Sequence, residues 1–381
     1  MRDAILEQDH LDFRDTVRAF VAREVLPHYE AWEDAGRVDR TLWRAAGRNG
    51  LLGLDVAEEF GGGGIDDYRF PALITEELAR TGANGVAIPL HNDIIGPYLN
   101  TLTDEAQRKR WLPGYCRGEL LAAIALTEPG AGSDLAGMRT TAVRDADGYV
   151  LNGSKTFVSN GSEADLIIVA AVTDPRRASR GRVSLLVVER DMPGLERGRP
   201  LRKLGLHAQD TVELFFRDVR VPPENLLDVE GNALRALTEH LPRERLSIAV
   251  AAVASAEAVL AETLAYCRSR QAFGRPIGEL QHVRFELAEM ATELEVARTF
   301  VDQCVLDHVA KRFDAVGAAR AKWWCTDVQK RVVDRCLQLH GGYGYMHEYR
   351  VARAFVDTRM MPIYGGTNEI MKEIIGRSLG L

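Results

Sequence analysis

Three runs of this 381-residue chain hold residue types that could do chemistry. In Glu128-Pro129-Gly130-Ala131-Gly132-Ser133-Asp134, Gly130 and Gly132 let backbone approach a ligand with no Cβ in the way. The acids of that run, Glu128 and Asp134, read as structural partners of loop amides or basic neighbours. Arg270 suits a pyrophosphate, because a guanidinium pairs phosphate oxygens in two-pronged fashion. Glu244 stands between Arg243 and Arg245. On its residues alone it reads as a solvated carboxylate in the first turn of a helix that Pro242 opens, favoured there by the helix dipole and those charges. Nine histidines show no His-Glu-x-x-His or comparable spacing, so no metal is expected. The run Gly61-Gly62-Gly63-Gly64 lacks the Lys-Ser/Thr that follows a phosphate loop, and reads as a break between helical groups.

Three textures along the chain must position these residues. Residues 1–120 read as helical, with apolar Leu11, Val17, Phe20 and Val21, then Ala72 to Leu78, at three-and-four spacing. Residues 121–226 read as strands: Leu166-Ile167-Ile168-Val169 and Val183 to Val188 are short, β-branched and bounded by turn formers. Asp147-Gly148 and Asn152-Gly153 predict tight turns on either side of Tyr149-Val150-Leu151, and Pro222-Pro223 closes the segment. Residues 227–381 read as helical again. Leu246, Ala249, Val250, Val253, Ala256, Leu260 and Leu264 keep helical spacing, with alanine on most other faces, as in a helix buried within a bundle.

Composition sets the class. Hydrophobic content of 46% and charged content of 27% are those of a globular chain with a large core. The net charge of -7 argues against nucleic acid. No secretory signal is visible behind Met1-Arg2-Asp3, and the apolar run Leu166 to Val172 is too short to span a bilayer. Five cysteines without a Cys-x-x-Cys pair suit a reducing compartment, and a cytoplasmic location is expected. Forty-one of the basic residues are arginine and seven lysine, a skew that reads as genome composition.

An ordered set of motifs resembles the acyl-CoA dehydrogenase flavoproteins. It comprises Ala125 to Asp134, Leu151 to Gly161, Lys203-Leu204-Gly205-Leu206, Arg270-Gln271-Ala272-Phe273-Gly274, Gln281, and Gln338 to Tyr345 continuing through Tyr364 to Ile370. The resemblance implies an α+β fold: an N-terminal helical domain, a small central β-barrel or sandwich, and a C-terminal four-helix bundle. It implies FAD, with Leu126 and Thr127 at one edge of the flavin and Phe157 and Ser159 along the other. Most relatives carry tryptophan and threonine at those last two positions. Gly132 and Ser133 would approach cofactor and pantetheine. Arg270, Phe273, Gln281, Gln338, Gly341 and Gly342 would serve the FAD of a neighbouring subunit, in a homodimer or homotetramer. Thr367 and Glu369 would close over the flavin of their own chain.

Most members of that family carry a glutamate, the base, where this chain has Gly365. The long-chain type instead has a helix motif Leu-Pro-x-Glu-Arg-Leu, and this chain reads Leu241-Pro242-Arg243-Glu244-Arg245-Leu246. The resemblance thus implies Glu244 as the α-proton base, with Glu369 the runner-up. Arg245 and Tyr364 would lie against substrate, and the Gly365 N–H would polarise the thioester carbonyl. Arg243 and Arg245 are expected to hold Glu244 ionised while burial raises its pKa. The implied reaction is dehydrogenation of an acyl-CoA to the trans-2-enoyl thioester, with electrons passing to an electron-transfer flavoprotein. Three alternatives stay open: a carrier-protein thioester as substrate, an oxygen-using oxidase or monooxygenase, and a flavin binder without turnover.

Overall fold

The computed structural model describes residues 1–177 and 179–381. Helices α1 (Gln8–Phe20), α2 (Tyr29–Ala35), α3 (Arg40–Arg48), α4 (Arg69–Thr81), α5 (Gly96–Thr101) and α6 (Glu105–Cys116) come first. Strands β1 (Ala122–Ala125), β2 (Thr141–Arg144), β3 (Tyr149–Ser159), β4 (Leu166–Val172), β5 (Val183–Glu189), β6 (Leu195–Arg197), β7 (Thr211–Val221) and β8 (Leu226–Leu227) follow, with one helical turn, α7 (Ser179–Arg182), before β5. The chain ends in α8 (Ala233–Ser269), α9 (Gln281–Val309), α10 (Ala315–His340), α11 (Arg350–Thr358) and α12 (Asn368–Ser378).

One sheet, in the order β6-β7-β3-β2-β4-β5-β8 with β1 beside β4, forms the middle layer. Every residue of β4 is buried, because both of its faces are covered. Leu166, Ile168, Ala170 and Val172 pack with Tyr98 and Leu99 of α5, Trp111 and Leu112 of α6, and Ala233, Ala236 and Leu237 of α8. Ile167, Val169 and Ala171 pack on the other side with Leu151, Val158 and Leu214 of the sheet itself. This alternation brings α5 and the start of α8 to one face of one strand.

The Asp147-Gly148 turn joins β2 to β3, with Arg144 opposite Tyr149 and the Asp145 N–H donating to the Gly148 carbonyl. Asn152-Gly153 makes no turn. It lies inside β3, where the pairing with β7 slips between Leu151 and Gly153. A Cβ on Gly153 would stand 2.8 Å from Thr140 Cα, so glycine here serves close backbone approach and a bulge. β7 ends at Val221, immediately before the two prolines.

In the C-terminal layer Leu246, Ala249, Val250 and Val253 of α8 pack against Ala72 and Leu73 of α4, Met290 and Leu294 of α9, and Val328 and Val332 of α10. The small alanines let these helices approach closely. Although α8 is long and apolar enough to cross a membrane, its apolar positions line this core.

Candidate active site

Glu244 lies well inside α8, not in its first turn. The helix begins at Ala233 after the N-cap Asn232, and Pro242 sits within it. The expectation that Pro242 opens the helix fails because Ala233, Ala236 and Leu237 are buried against the sheet, which stabilises nine further helical residues ahead of it. The solvated-carboxylate reading falls with it, since Glu244 is only 7% exposed.

The Tyr98 hydroxyl donates to Glu244 Oε1 at 2.8 Å. Burial pushes the carboxyl up to about 7, opposed by that hydrogen bond and by the Arg245 charge. Arg243 takes no part, contrary to expectation. Its guanidinium bonds Asp55 Oδ2 at 2.5 Å, reaches Asp93 Oδ1 at 3.6 Å and lies over the Tyr68 ring, so its charge is already matched. Residues 243 and 244 are neighbours in sequence but point about 100° apart around a helix.

Arg245 instead meets the loop before α12, its Nε donating to the Gly365 carbonyl at 3.2 Å. The next carbonyl, Gly366, accepts from Lys322 Nζ at 2.8 Å, and Asn368 Oδ1 accepts from the same ammonium at 3.0 Å. Lys322 is fully buried on α10, which pushes its ammonium down to about 7. With both carbonyls tethered and φ at +65° and +90° for Gly365 and Gly366, the loop is fixed. No described residue accepts from the Gly365 N–H. Thr367 caps α12 by accepting from the Ile370 N–H at 3.3 Å. Glu369 is exposed, its carboxyl held low by its own backbone N–H and the Thr367 hydroxyl. It resembles a helix-start carboxylate far more than a base. The part-buried Tyr364 hydroxyl meets Met361 Sδ at 3.0 Å.

The run Leu126 to Ser133 leaves the end of β1 and lies along β3. The Thr127 carbonyl accepts from the Thr156 N–H at 2.9 Å, and the Leu126 carbonyl from Lys155 Nζ at 3.0 Å. Lys155 is buried and pairs with Glu128 at 2.9 Å, while Glu128 also accepts from the Arg139 and Thr140 amides. The reading of Glu128 as structural stands on these bonds. Pairing of β3 with β7 slips again between Lys155 and Val158, leaving Phe157 with φ +57° and 68% exposed next to the half-buried Ser159. A Cβ on Gly130 or Gly132 would meet nothing within 4 Å, and Ser133 is exposed.

A second group gathers elsewhere. Tyr266, Arg270, Gln338, Gly341, Gly342 and Tyr343 line a cavity of about 530 Å³. Arg270 lies over the Tyr343 ring at 5.4 Å and, among the described residues, makes no ion pair. Phe273, at the tip of the Gln271–Ala272/Arg275–Pro276 hairpin, is 92% exposed, and Gln281 is exposed at the start of α9. Lys322 and Gln338 both sit on α10, about 24 Å apart along its axis at 1.5 Å per residue. Glu244 and the end of α8 beside Arg270 lie about 38 Å apart on the same reckoning. One chain therefore holds two separate clusters.

Sequence reasoning missed Tyr98, Lys155 and Lys322. Tyr98 carries no motif. The lysines had a signal in a chain that uses arginine forty-one times and lysine seven: two of the seven are fully buried. A compact ammonium fits a closed pocket where a planar guanidinium does not.

Three family models match nearly end to end: the acyl-CoA dehydrogenase N-terminal domain over residues 7–119, the middle domain over 123–219 and the C-terminal domain over 232–380. The mitochondrial long-chain specific acyl-CoA dehydrogenase of Sus scrofa is 47% identical over 376 residues, covering 98% of this chain and 87% of that protein. The crystal structure of an acyl-CoA dehydrogenase from Geobacillus kaustophilus superposes with a TM-score of 0.97 at 49% identity, covering 99% of each chain. One from Bacillus anthracis, complexed with FAD, gives 0.91 at 33% identity, covering 98% of this chain and 67% of that one.

Proposed function

Because the chain belongs to the acyl-CoA dehydrogenase family, we propose that it converts an acyl-CoA to the trans-2-enoyl thioester with Glu244 taking the α proton. The enzyme is an FAD-dependent oxidoreductase. The residues present suit that cofactor: open space over Gly130, Gly132, Gly341 and Gly342, the exposed rings of Phe157 and Phe273, and an Arg270 guanidinium without a carboxylate partner among the described residues. FAD, when bound, supplies the acceptor for the hydride that leaves the β carbon.

The observation that carries the reading is a buried carboxylate beside a tethered glycine loop. The Gly365 loop touches Arg245 and Ile248, which follow Glu244 on α8. A carboxyl pushed up to about 7 can accept a proton near neutral pH and hold it afterwards. The Gly365 N–H, unclaimed by any described residue, is suited to the thioester carbonyl whose polarisation acidifies the α carbon. Burial of Glu244 keeps water from competing for it.

The separation between the two clusters supports a cofactor shared by two subunits, with Arg270, Phe273 and Gln338 serving the partner chain in a homodimer or homotetramer. Electrons then pass to an electron-transfer flavoprotein, the acceptor that the family resemblance implies. The test is anaerobic mixing of the yellow enzyme with acyl-CoAs of graded length and with a carrier-protein thioester. Flavin bleaching with formation of enoyl-CoA supports the reading. A flavin that stays oxidised with every thioester contradicts it.

A further inference from the structure

The two oxygens of Glu244 have different surroundings. Oε1 accepts from the Tyr98 hydroxyl at 2.8 Å, and no described residue hydrogen-bonds Oε2. Tyr98 has no exposed surface. It sits on α5, a six-residue helix with proline in its first turn that follows the π-helical turn Leu90–Ile95. Its ring is wedged among Leu99, Trp111 and the inner face of β4, with the His240 ring centroid 4.6 Å away. That phenol cannot swing elsewhere, and Glu244 is its hydrogen-bond partner.

We propose that Tyr98 is the positioning residue of the base, its hydroxyl pinning one carboxylate oxygen so that the other is presented to the α carbon of the substrate. This rests on the reading of Glu244 as base. The fold explains why the tether is possible: β4 holds α5 and the first turns of α8 on one face, so a residue far away in sequence is locked to the catalytic helix. The donor also favours the ionised carboxylate in a site whose burial disfavours it.

Other groups nearby do not supply this role. On α8, Arg245 is tied to the Gly365 carbonyl and Arg243 to Asp55. His240 is pushed down to about 4 by burial and is neutral at working pH. In the π-helical turn, Asp93 accepts from Thr75 and Ser247, and Tyr364, immediately before Gly365, stays un-ionised because loss of solvent around its phenol pushes it up. Tyr98 itself is held well above the ordinary phenol value, so it acts only as a neutral donor.

The experiment is the pH dependence of anaerobic flavin reduction by a fixed saturating acyl-CoA in wild type, Tyr98→Phe, and enzyme with 2,3-difluorotyrosine at position 98. Loss of the hydroxyl should raise the apparent midpoint by about one pH unit, with reduction roughly fivefold slower at neutral pH and recovering in alkali. The fluorinated phenol, a stronger donor of nearly the same shape, should move the midpoint the other way. FAD content of Tyr98→Phe should match wild type, and its melting temperature should fall only slightly, since one oxygen is removed and one buried acceptor loses its donor. Midpoints that do not move in opposite directions overturn the proposal, whatever happens to the rate. Glu244→Gln in the same assay separates the two readings: if it still reduces its flavin, the base assignment has failed. If it is dead and the midpoints are fixed, only the tether has failed.

Discussion

A Cβ built on Gly365 would stand 2.5 Å from Cδ1 of Ile248, which lies one helical turn beyond Glu244 on the same face of α8. A side chain at position 365 thus points at the helix that carries the proposed base. This accounts physically for how a loop carboxylate and a helix carboxylate could address the same carbon atom.

The relationship predicts what limits moving the base. Gly365 has φ +65°, where a residue with a Cβ costs roughly 1–2 kcal/mol, and Ile248 must also yield. Glu244→Gly combined with Gly365→Glu should recover only a small part of the flavin reduction rate. Adding Ile248→Ala should raise it several-fold. A triple variant no faster than the double would show that the Ile248 contact is not the obstacle.

Acid should silence the enzyme by protonating its base. With the Glu244 carboxyl pushed up to about 7, flavin reduction should climb as pH rises through neutrality. Stability should move the opposite way. The folded carboxyl holds its proton more tightly than the unfolded one near 4.5, so its contribution is full below that pH and is lost as pH rises through about 7. Glu244→Gln escapes that loss, and its stability should gain on wild type by up to about 3 kcal/mol between roughly pH 5 and pH 8. Parallel melting curves across that range would contradict the burial argument.

Arg270→Ala should release FAD without unfolding the chain. The side chain is exposed, and its ring contact with Tyr343 is worth about 0.5–1 kcal/mol. Arg270→Lys should retain FAD only weakly, because a point charge lacks the two-pronged geometry. Size-exclusion chromatography should show the oligomer loosening with cofactor loss. A variant that keeps full FAD would remove Arg270 from the site.

Lys322→Met should slow flavin reduction and lower the melting temperature together. It deprives the Gly366 carbonyl of its donor and leaves Asn368 Oδ1 with the Thr326 hydroxyl at 3.3 Å, and an acceptor left unsatisfied costs about 1–3 kcal/mol. Lys322→Arg should not rescue it, since the ammonium occupies a closed pocket. Normal reduction by Lys322→Met would mean that the loop is held by Arg245 alone.

Much of this was readable in the residues. The order of helices, strands and helices followed from apolar spacing and turn chemistry, and Asp147-Gly148 and Pro222-Pro223 bounded strands as their geometry requires. Two local rules were overridden by packing. Asn152-Gly153 resembles a turn in sequence but became a bulge, because Thr140, just ahead of β2, crowds the glycine. Pro242 resembles a helix start, yet burial of Ala233 and Leu237 carries the helix past it. Partners were harder to read than positions. Arg243 and Arg245 look equivalent in sequence, and only the direction of each side chain around the helix gives one to Asp55 and the other to Gly365. Tyr98 reaches Glu244 across the fold, and no local pattern encodes such a contact.

The most direct test is the rate of flavin reduction in Glu244→Gln, mixed anaerobically with a saturating acyl-CoA in a stopped-flow spectrometer. Glutamine keeps the size of the side chain and can still accept from Tyr98, but has no usable basicity. FAD content and thioester binding should match wild type while reduction falls by at least roughly 10²–10⁴-fold, the scale of a positioned base. Reduction at the wild-type rate would place the base elsewhere and contradict the account.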